Sequence, residues 1–155
     1  TQDEQRNRLI LNDIVQAALS GRTSLVLTER RDHLRELNQL LSTHVENIVV
    51  LHGGMGKKQK LSLMEMINTT SDGLVILATG RYIGEGFDLA KLDTLFLTMP
   101  VSWKGVLTQY AGRLHRLHTG KKEVIIYDYV DTNIPMLARM HKRRLSGYRS
   151  IGYIY

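Results

Sequence analysis

Five short apolar segments recur along the chain, and they constrain its fold more than any other feature of the sequence. They are predominantly apolar rather than alternating with polar residues, and they cover 24–27, 48–51, 74–78, 92–97 and 124–129. Strands of this kind are typical of parallel sheets that are buried on both faces. We therefore predict one open, mostly parallel α/β sheet of five strands with helices on both sides.

The segments around these strands have the spacing of amphipathic helices. Predicted helices cover 3–19, 30–42, 57–67, 106–114 and 134–145. The first should end at Gly21, and its apolar stripe is assigned to Leu9, Ile10, Ile14, Val15 and Ala18. The buried face of the second is assigned to Leu34, Leu37, Leu40 and Leu41. Because no repeat or proline-rich linker interrupts residues 1–155, we interpret them as a single domain.

Composition excludes several classes of protein. The absence of cysteine rules out a disulfide framework, a thiolate metal site and a cysteine nucleophile. No apolar run approaches the roughly 18 residues that span a bilayer, and the polar first ten residues do not resemble a signal peptide. We expect no membrane partner and a cytoplasmic or nucleoid-associated protein that is not secreted. The net charge of +6 suits a polyanionic partner.

Ligands of open parallel sheets gather beyond the carboxyl ends of the strands, so the loops there hold the candidate site. After the first strand, the Thr28 hydroxyl suits either a helix N-cap or a phosphate oxygen. After the second, His52–Lys58 contains three glycines and two lysines, and it fits either a plain turn or a ligand close to backbone amides. The chain contains neither the G-x-S-x-G of esterases nor the spacing of a Walker A loop.

Two later segments carry the remaining candidate residues. The loop at 79–88 holds the carboxylates of Glu85 and Asp88 but no complete G-x-G-x-x-G, and Asp88 suits either a ribose hydroxyl or a turn cap. At 109–116, Arg113 and Arg116 leave one helix face, with Gln109 four residues before Arg113. These polar groups suit a triphosphate, because a planar guanidinium offsets the charge that develops during phosphoryl transfer.

The order of these segments resembles the second, C-terminal RecA-like domain of superfamily 2 helicases and translocases, over essentially the whole chain. LVLTERRDHLREL is similar to motif IV, VVLHGGMGKKQK to the segment after the next strand, VILATGRYIGEGFDL to motif V and QYAGRLHR to motif VI. The resemblance implies a RecA-like three-layer sandwich with a mostly parallel central sheet. The Gln that begins motif VI points away from the DEAD-box group.

The resemblance also implies a role for each matching residue. Arg113 and Arg116 would be arginine fingers for the γ-phosphate of ATP, which Gln109 would help to position. The residues that face the nucleotide would be Gly84, Glu85, Gly86 and Asp88. Contacts to a nucleic-acid backbone, with DNA favoured over RNA, would come from Thr28, Arg30, His52, Gly53, Lys57 and Thr79.

The sequence lacks the motifs by which such enzymes hold ATP and Mg²⁺, since it contains neither a Walker A lysine nor D-E-x-[DH]. We expect an N-terminal RecA-like domain of the same protein to hold both, this chain alone to hydrolyse no ATP, and no metal site within it. Two other interpretations remain: a non-catalytic nucleic-acid-binding or regulatory module with a helicase fold, and a small-molecule enzyme that uses the 84–88 loop. The basic, aromatic residues 139–155 suit a solvated helix with a packed tail, or a single-strand track or docking site.

Overall fold

The central element of the fold is a parallel sheet. The computed structural model describes residues 2–28, 30–52, 55–70, 73–79, 92–98 and 125–129, with residues 139, 142, 143 and 145. Its strands are β1 (Ser24–Thr28), β2 (Ile48–Leu51), β3 (Val75–Thr79), β4 (Thr94–Leu97) and β5 (Ile125–Asp128). They form one sheet in the order β2-β3-β1-β4-β5, and every neighbouring pair is parallel. The predicted parallel α/β sheet is therefore confirmed.

Helices cover both faces of this sheet. They are α1 (Gln2–Leu19), α2 (Arg31–Leu41) and α3 (Lys57–Thr69). Ile14 of α1 and Leu37 of α2 belong to one buried cluster with Phe96 of β4. On the opposite face, Ile67 of α3 is buried with Leu95 of β4. The helices predicted over 106–114 and 134–145 fall wholly or largely outside the described residues.

Burial along the strands follows their place in the sheet. The inner strands β1, β3 and β4 are buried at every residue, whereas β2 is buried at alternate residues and β5 is half-buried throughout. Successive side chains of a strand point to opposite faces, so Val26 lies in the cluster under α1 and α2 while Leu25 and Leu27 lie in the cluster under α3. The two outermost described strands therefore contribute less to the core.

Two residues assigned to buried helix faces are exposed instead. Leu9 is 53% exposed and Leu40 is 42% exposed, so both predictions were wrong. The faces that pack against the sheet are narrower than the apolar stripes suggest: in α1 the buried residues are Ile10, Ile14 and Ala17. Leu9 lies about 100° round the helix from Ile10 and points towards solvent.

The predicted end of α1 at Gly21 is confirmed. Gly21 has a φ of 81°, its N–H donates to the carbonyl of Ala18 at 3.0 Å, and the N–H of Arg22 donates to the carbonyl of Ala17 at 3.0 Å. This pair of bonds is the Schellman motif, which requires a left-handed residue just past the helix. The chain is thereby turned from α1 into β1.

A polar network joins the starts of β1 and β4 at the amino edge of the sheet. Nε of Arg22 donates to the Thr94 hydroxyl at 2.6 Å, and Nη2 donates to the carbonyl of Asp93 at 3.1 Å. The N–H of Thr23 donates to the Asp93 carboxylate at 3.0 Å. These contacts hold the edge opposite the candidate site and have a structural role.

Candidate nucleic-acid interface

The register of the sheet brings three of the predicted contact residues into one row. Thr28 at the end of β1 pairs directly with Thr79 at the end of β3. Leu51 of β2 pairs with Ala78, so His52 follows at the level of Thr79. Because neighbouring strands lie about 4.8 Å apart, these positions lie side by side at the carboxyl edge.

The two threonine side chains of this row are turned into the domain. Thr28 is fully buried and Thr79 is 9% exposed. The Thr28 hydroxyl donates to the carbonyl of Arg30 at 3.3 Å. Both side chains are therefore internal in the described structure, and their predicted contact with nucleic acid stays a prediction.

The expectation that Thr28 can cap α2 is wrong. Arg30 occupies the N-cap position, with a φ of −124°, and its side chain makes no cap hydrogen bond. Thr28 is still part of β1. Its hydroxyl donates to the carbonyl of Arg30 and does not accept from the first amides of the helix. The first amides of α2 therefore receive no side-chain cap from the N-cap residue.

Cationic side chains stand beside these helix starts. Arg30 precedes α2, and Lys57 begins α3 with Lys58 next to it; all three are exposed. Gly56, the N-cap of α3, offers no side-chain cap, and the first turn of α3 contains no acidic residue. The amino end of a helix carries a partial positive charge and unsatisfied N–H groups. The amino end of α3 therefore combines lysine charges with unsatisfied N–H groups, which favours anions. At the amino end of α2 the charge of Arg30 is opposed by the carboxylate of Asp32 in the first turn.

His52 lies in the turn between β2 and α3. It is half-buried, and its backbone N–H donates to the sulfur of Met55 at 3.4 Å. This bond joins the end of β2 to the residues that precede α3. Gly53, predicted to contact the nucleic-acid backbone here, lies outside the described residues.

A polar cluster on the α1 side of the same edge was not predicted from the sequence. Nη2 of Arg6 donates to the carbonyl of Thr98 at 2.9 Å, just beyond β4. The hydroxyl of Tyr129, just beyond β5, donates to the Asp13 carboxylate at 2.7 Å. The signal was present in α1: Arg6 and Asp13 fall on the same stripe as Ile10, Ile14 and Ala17, a face that is otherwise buried and apolar.

Electrostatics favour the uncharged forms of Tyr129 and of His33, a residue of α2 on which the charge of Arg6 acts. Burial lowers the pKa of His33, opposed by the Glu36 carboxylate and assisted by the charge of Arg6. Burial and the hydrogen bond to Asp13 raise the pKa of the Tyr129 hydroxyl. At neutral pH His33 is therefore a neutral imidazole, and Tyr129 remains the donor in its bond to Asp13.

The predicted nucleotide-facing and catalytic residues lie outside the described part of the chain. They are Gly84, Glu85, Gly86, Asp88, Gln109, Arg113 and Arg116. Among the described residues no cluster of histidine and carboxylate side chains is suited to hold a metal ion. The helices described by the structure include none with the length and apolar character needed to cross a bilayer.

Comparison with known proteins shows where the chain belongs. The family model of the helicase conserved C-terminal domain matches residues 7–118. A curated relative, transcript termination protein A18 of fowlpox virus (strain NVSL), is 29% identical over 141 residues, covering 86% of this chain and 29% of that protein. The chain thus spans less than a third of the length of this relative.

Solved structures share the fold at lower identity. T4 UvsW superposes with a TM-score of 0.74 at 18% identity, over 94% of this chain and 32% of that one. The C-terminal domain of the DEAD-box protein Dbp5 gives a TM-score of 0.69 at 14% identity, over 94% of this chain and 80% of that one. The fold is therefore that of the C-terminal RecA-like domains of superfamily 2 helicases, and the assignment outside the DEAD-box group stays a prediction.

The match of the family model to residues 7–118 covers most of the sheet and its helices. The parallel sheet and the helix layers on its two faces agree with the fold that the motifs implied. The chain belongs to the helicase conserved C-terminal domain family.

Proposed function

We propose that residues 1–155 form the C-terminal RecA-like domain of an ATP-dependent nucleic-acid helicase or translocase. In this proposal, the carboxyl edge of β1, β2 and β3 binds the backbone of one strand, with DNA favoured over RNA. Arg113 and Arg116 act on ATP held mainly by an N-terminal RecA-like domain, and Gln109 helps to position its γ-phosphate. We refer to a protein that carries both domains as the two-domain protein.

The nucleic-acid role is supported most by the row at the carboxyl edge. The parallel register places Thr28 and Thr79 together with His52 beside them. The cations Arg30 and Lys57 lie next to this row, as do the amino ends of α2 and α3, whose N-cap residues make no side-chain cap hydrogen bond. A phosphate backbone is the ligand that this combination of fixed amides and mobile positive charges suits best.

The nucleotide role is supported by family membership and by the sequence at 109–116. Motif V residues Gly84, Glu85, Gly86 and Asp88 would border the nucleotide, with Asp88 near the ribose. Mg²⁺ would lie with the β- and γ-phosphates in the N-terminal domain and neutralise their charge there. In this proposal the ligands of the ion come from that N-terminal domain, and none is assigned to the residues described in this chain.

The interface can be tested by removing two charges. We expect the double variant Arg30→Gln and Lys57→Gln to bind a single-stranded oligonucleotide more weakly. The negative slope of log K against log salt concentration should become shallower by about 1.4, which corresponds to two lost phosphate contacts on a single strand. Fluorescence anisotropy with DNA and RNA oligonucleotides of equal sequence, between 50 and 200 mM salt, measures both quantities and compares the two nucleic acids.

A charge-matched variant separates a local interface from net charge. Arg139 and Arg143 are exposed cations outside the row, so the double variant Arg139→Gln and Arg143→Gln removes the same charge elsewhere. Its salt slope should match that of the unsubstituted chain. Equal losses of oligonucleotide affinity in the two double variants would contradict a specific interface at the carboxyl edge. A larger loss in the variant at 139 and 143 would instead favour the C-terminal residues as the nucleic-acid contact.

A further inference from the structure

The face of α1 that points away from the sheet carries exposed apolar and amide side chains. Its central residues, all exposed, are Gln5, Leu9, Asn12, Gln16 and Leu19. We call these five residues the outer stripe. None of them is charged, although 23% of the residues in the chain are, and Leu9 and Leu19 are 53% and 71% exposed. Charge is depleted and apolar surface enriched at the centre of protein interfaces, so the outer stripe is a candidate interface.

The spacing of the outer stripe matches the contact positions of a coiled coil. Its residues follow one another at intervals of four, three, four and three positions, which is the a and d pattern of a heptad repeat. Leu9 then occupies an a position, and Asn12 and Leu19 occupy d positions. Ile14, which is fully buried, falls at the f position on the other side of the helix. Helix α1 therefore offers one face to its own sheet and the opposite face to a second helix.

Two charges flank the outer stripe in an arrangement that favours a second copy of α1 as the partner. Arg8 occupies a g position and Asp13 the following e position, and these positions form ion pairs between parallel helices in register. Arg8 is exposed, and Asp13 is half-buried with one carboxylate oxygen accepting from Tyr129. In a parallel pair of identical helices, Arg8 of each copy faces Asp13 of the other. An antiparallel pair places g positions opposite each other and separates these two charges.

The same arrangement matches the uncharged positions of the stripe. Parallel helices in register bring Leu9 against Leu9 and Leu19 against Leu19 of the second copy, which removes their apolar surface from water. Asn12 meets the same residue of the second copy, and the two amides can hydrogen-bond because each has donors and an acceptor. A polar residue at a contact position fixes the register of two helices at a cost in stability.

The folded domain prepares α1 for this contact. Isolated helices shorter than about 12–15 residues are marginal in water, whereas Ile10, Ile14 and Ala17 already hold α1 against the sheet. Pairing therefore carries no cost of helix formation. Because the stripe is short and three of its five residues are polar, we expect a weak dimer with a Kd between about 10 µM and 1 mM.

We propose that α1 is a dimerisation helix, which pairs in parallel with α1 of a second copy of this chain through the outer stripe. Such a pair has two-fold symmetry, and both copies contribute the same surface. The inference goes beyond the proposed function, because neither nucleic acid nor ATP takes part in the contact. It is tested on the 155-residue chain without either ligand, so that its failure and that of the proposed function are distinguishable.

Sedimentation equilibrium of the 155-residue chain, at concentrations up to about 1 mM, measures the association directly. We expect an average mass that rises with concentration towards that of a dimer. The double variant Leu9→Glu and Leu19→Glu should weaken the association by about 100-fold or more, because like charges would meet at two positions of the contact. A chain that stays monomeric over this range would overturn the proposal.

The matched control is the double variant Leu40→Glu and Leu61→Glu. These leucines are 42% and 70% exposed on α2 and α3, so the control makes the same chemical change outside the stripe. Its Kd should stay within about twofold of that of the unsubstituted chain, since exposed substitutions away from a contact are close to neutral. Circular dichroism verifies that each variant is folded. Equal weakening in the two double variants would contradict a contact through the outer stripe.

The orientation of the pair is tested by cross-linking. The chain contains no cysteine, so Asn12→Cys introduces a single thiol. Mild oxidation should yield a covalent dimer of Asn12→Cys but not of Leu61→Cys, because a parallel pair in register brings residue 12 of the two copies together. Absence of the cross-link in Asn12→Cys, or equal cross-linking of the two variants, would contradict the parallel pairing.

Discussion

Replacement of Arg116 by alanine in the two-domain protein is expected to reduce nucleic-acid-stimulated ATP hydrolysis by about 10³- to 10⁵-fold. The guanidinium would meet the negative charge that develops on the transferring phosphoryl group, and no other group of this chain except Arg113 would do so. Nucleic-acid affinity should be retained, because in the proposed function the backbone contacts come from the loops after β1, β2 and β3. Single-turnover hydrolysis and anisotropy on the same preparation measure the two effects.

The conservative variant Arg116→Lys distinguishes the effect of positive charge from that of the planar guanidinium. Lysine keeps the positive charge but lacks the planar fork that contacts two phosphoryl oxygens at once. We expect it to remain strongly impaired in hydrolysis while binding nucleic acid normally. Parallel losses of hydrolysis and of nucleic-acid affinity in Arg116→Ala would instead assign Arg116 to the structure of the domain.

Substitution of Gly73 by alanine is expected to destabilise the domain by about 2–4 kcal/mol. Gly73 precedes β3 with a φ of 69°, where side chains are unfavourable, and a Cβ there would lie 2.8 Å from the carbonyl oxygen of Ala18. That oxygen belongs to the end of α1 and already accepts the N–H of Gly21. The backbone of α1 or of the β3 entry must therefore shift. Urea unfolding, followed by circular dichroism, measures the change in the free energy of unfolding.

Gly56 provides the matched control. It has a φ of −70°, and a Cβ added there would meet nothing within 4 Å. We expect Gly56→Ala to cost no more than about 1 kcal/mol, because alanine is a poorer N-cap residue than glycine but meets no steric clash here. Similar stabilities for the two variants would show that α1 does not pack against the start of β3 as described.

Most of the fold followed from local patterns in the sequence. Predominantly apolar runs such as 24–27 and 74–78 predicted buried parallel strands, and β1 and β3 form there. The order of the strands in the sheet could not be predicted, because the sequence does not indicate which strands are neighbours. The half-buried character of β5 arises from its outer place in the described sheet, although its sequence begins with two isoleucines.

The candidate site was predictable where it depended on strand ends and was missed where it depended on distant partners. The end of each strand indicated Thr28, His52 and Thr79, and the register brings them together. Arg6 and Asp13 were missed because their partners lie 92 and 116 positions away. The Thr28 cap was wrong because β1 extends through Thr28, which leaves the N-cap position to Arg30.

The central proposal is a division of roles, in which the N-terminal domain holds ATP and this chain supplies arginines. Its most direct test is ATP hydrolysis by the 155-residue chain and by the two-domain protein, each with and without single-stranded nucleic acid in the presence of Mg²⁺. The chain alone should show no hydrolysis, because it contains neither a Walker A lysine nor D-E-x-[DH]. The two-domain protein should hydrolyse ATP and be stimulated by nucleic acid. Nucleic-acid-stimulated hydrolysis by the chain alone, or none by the two-domain protein, would contradict this division.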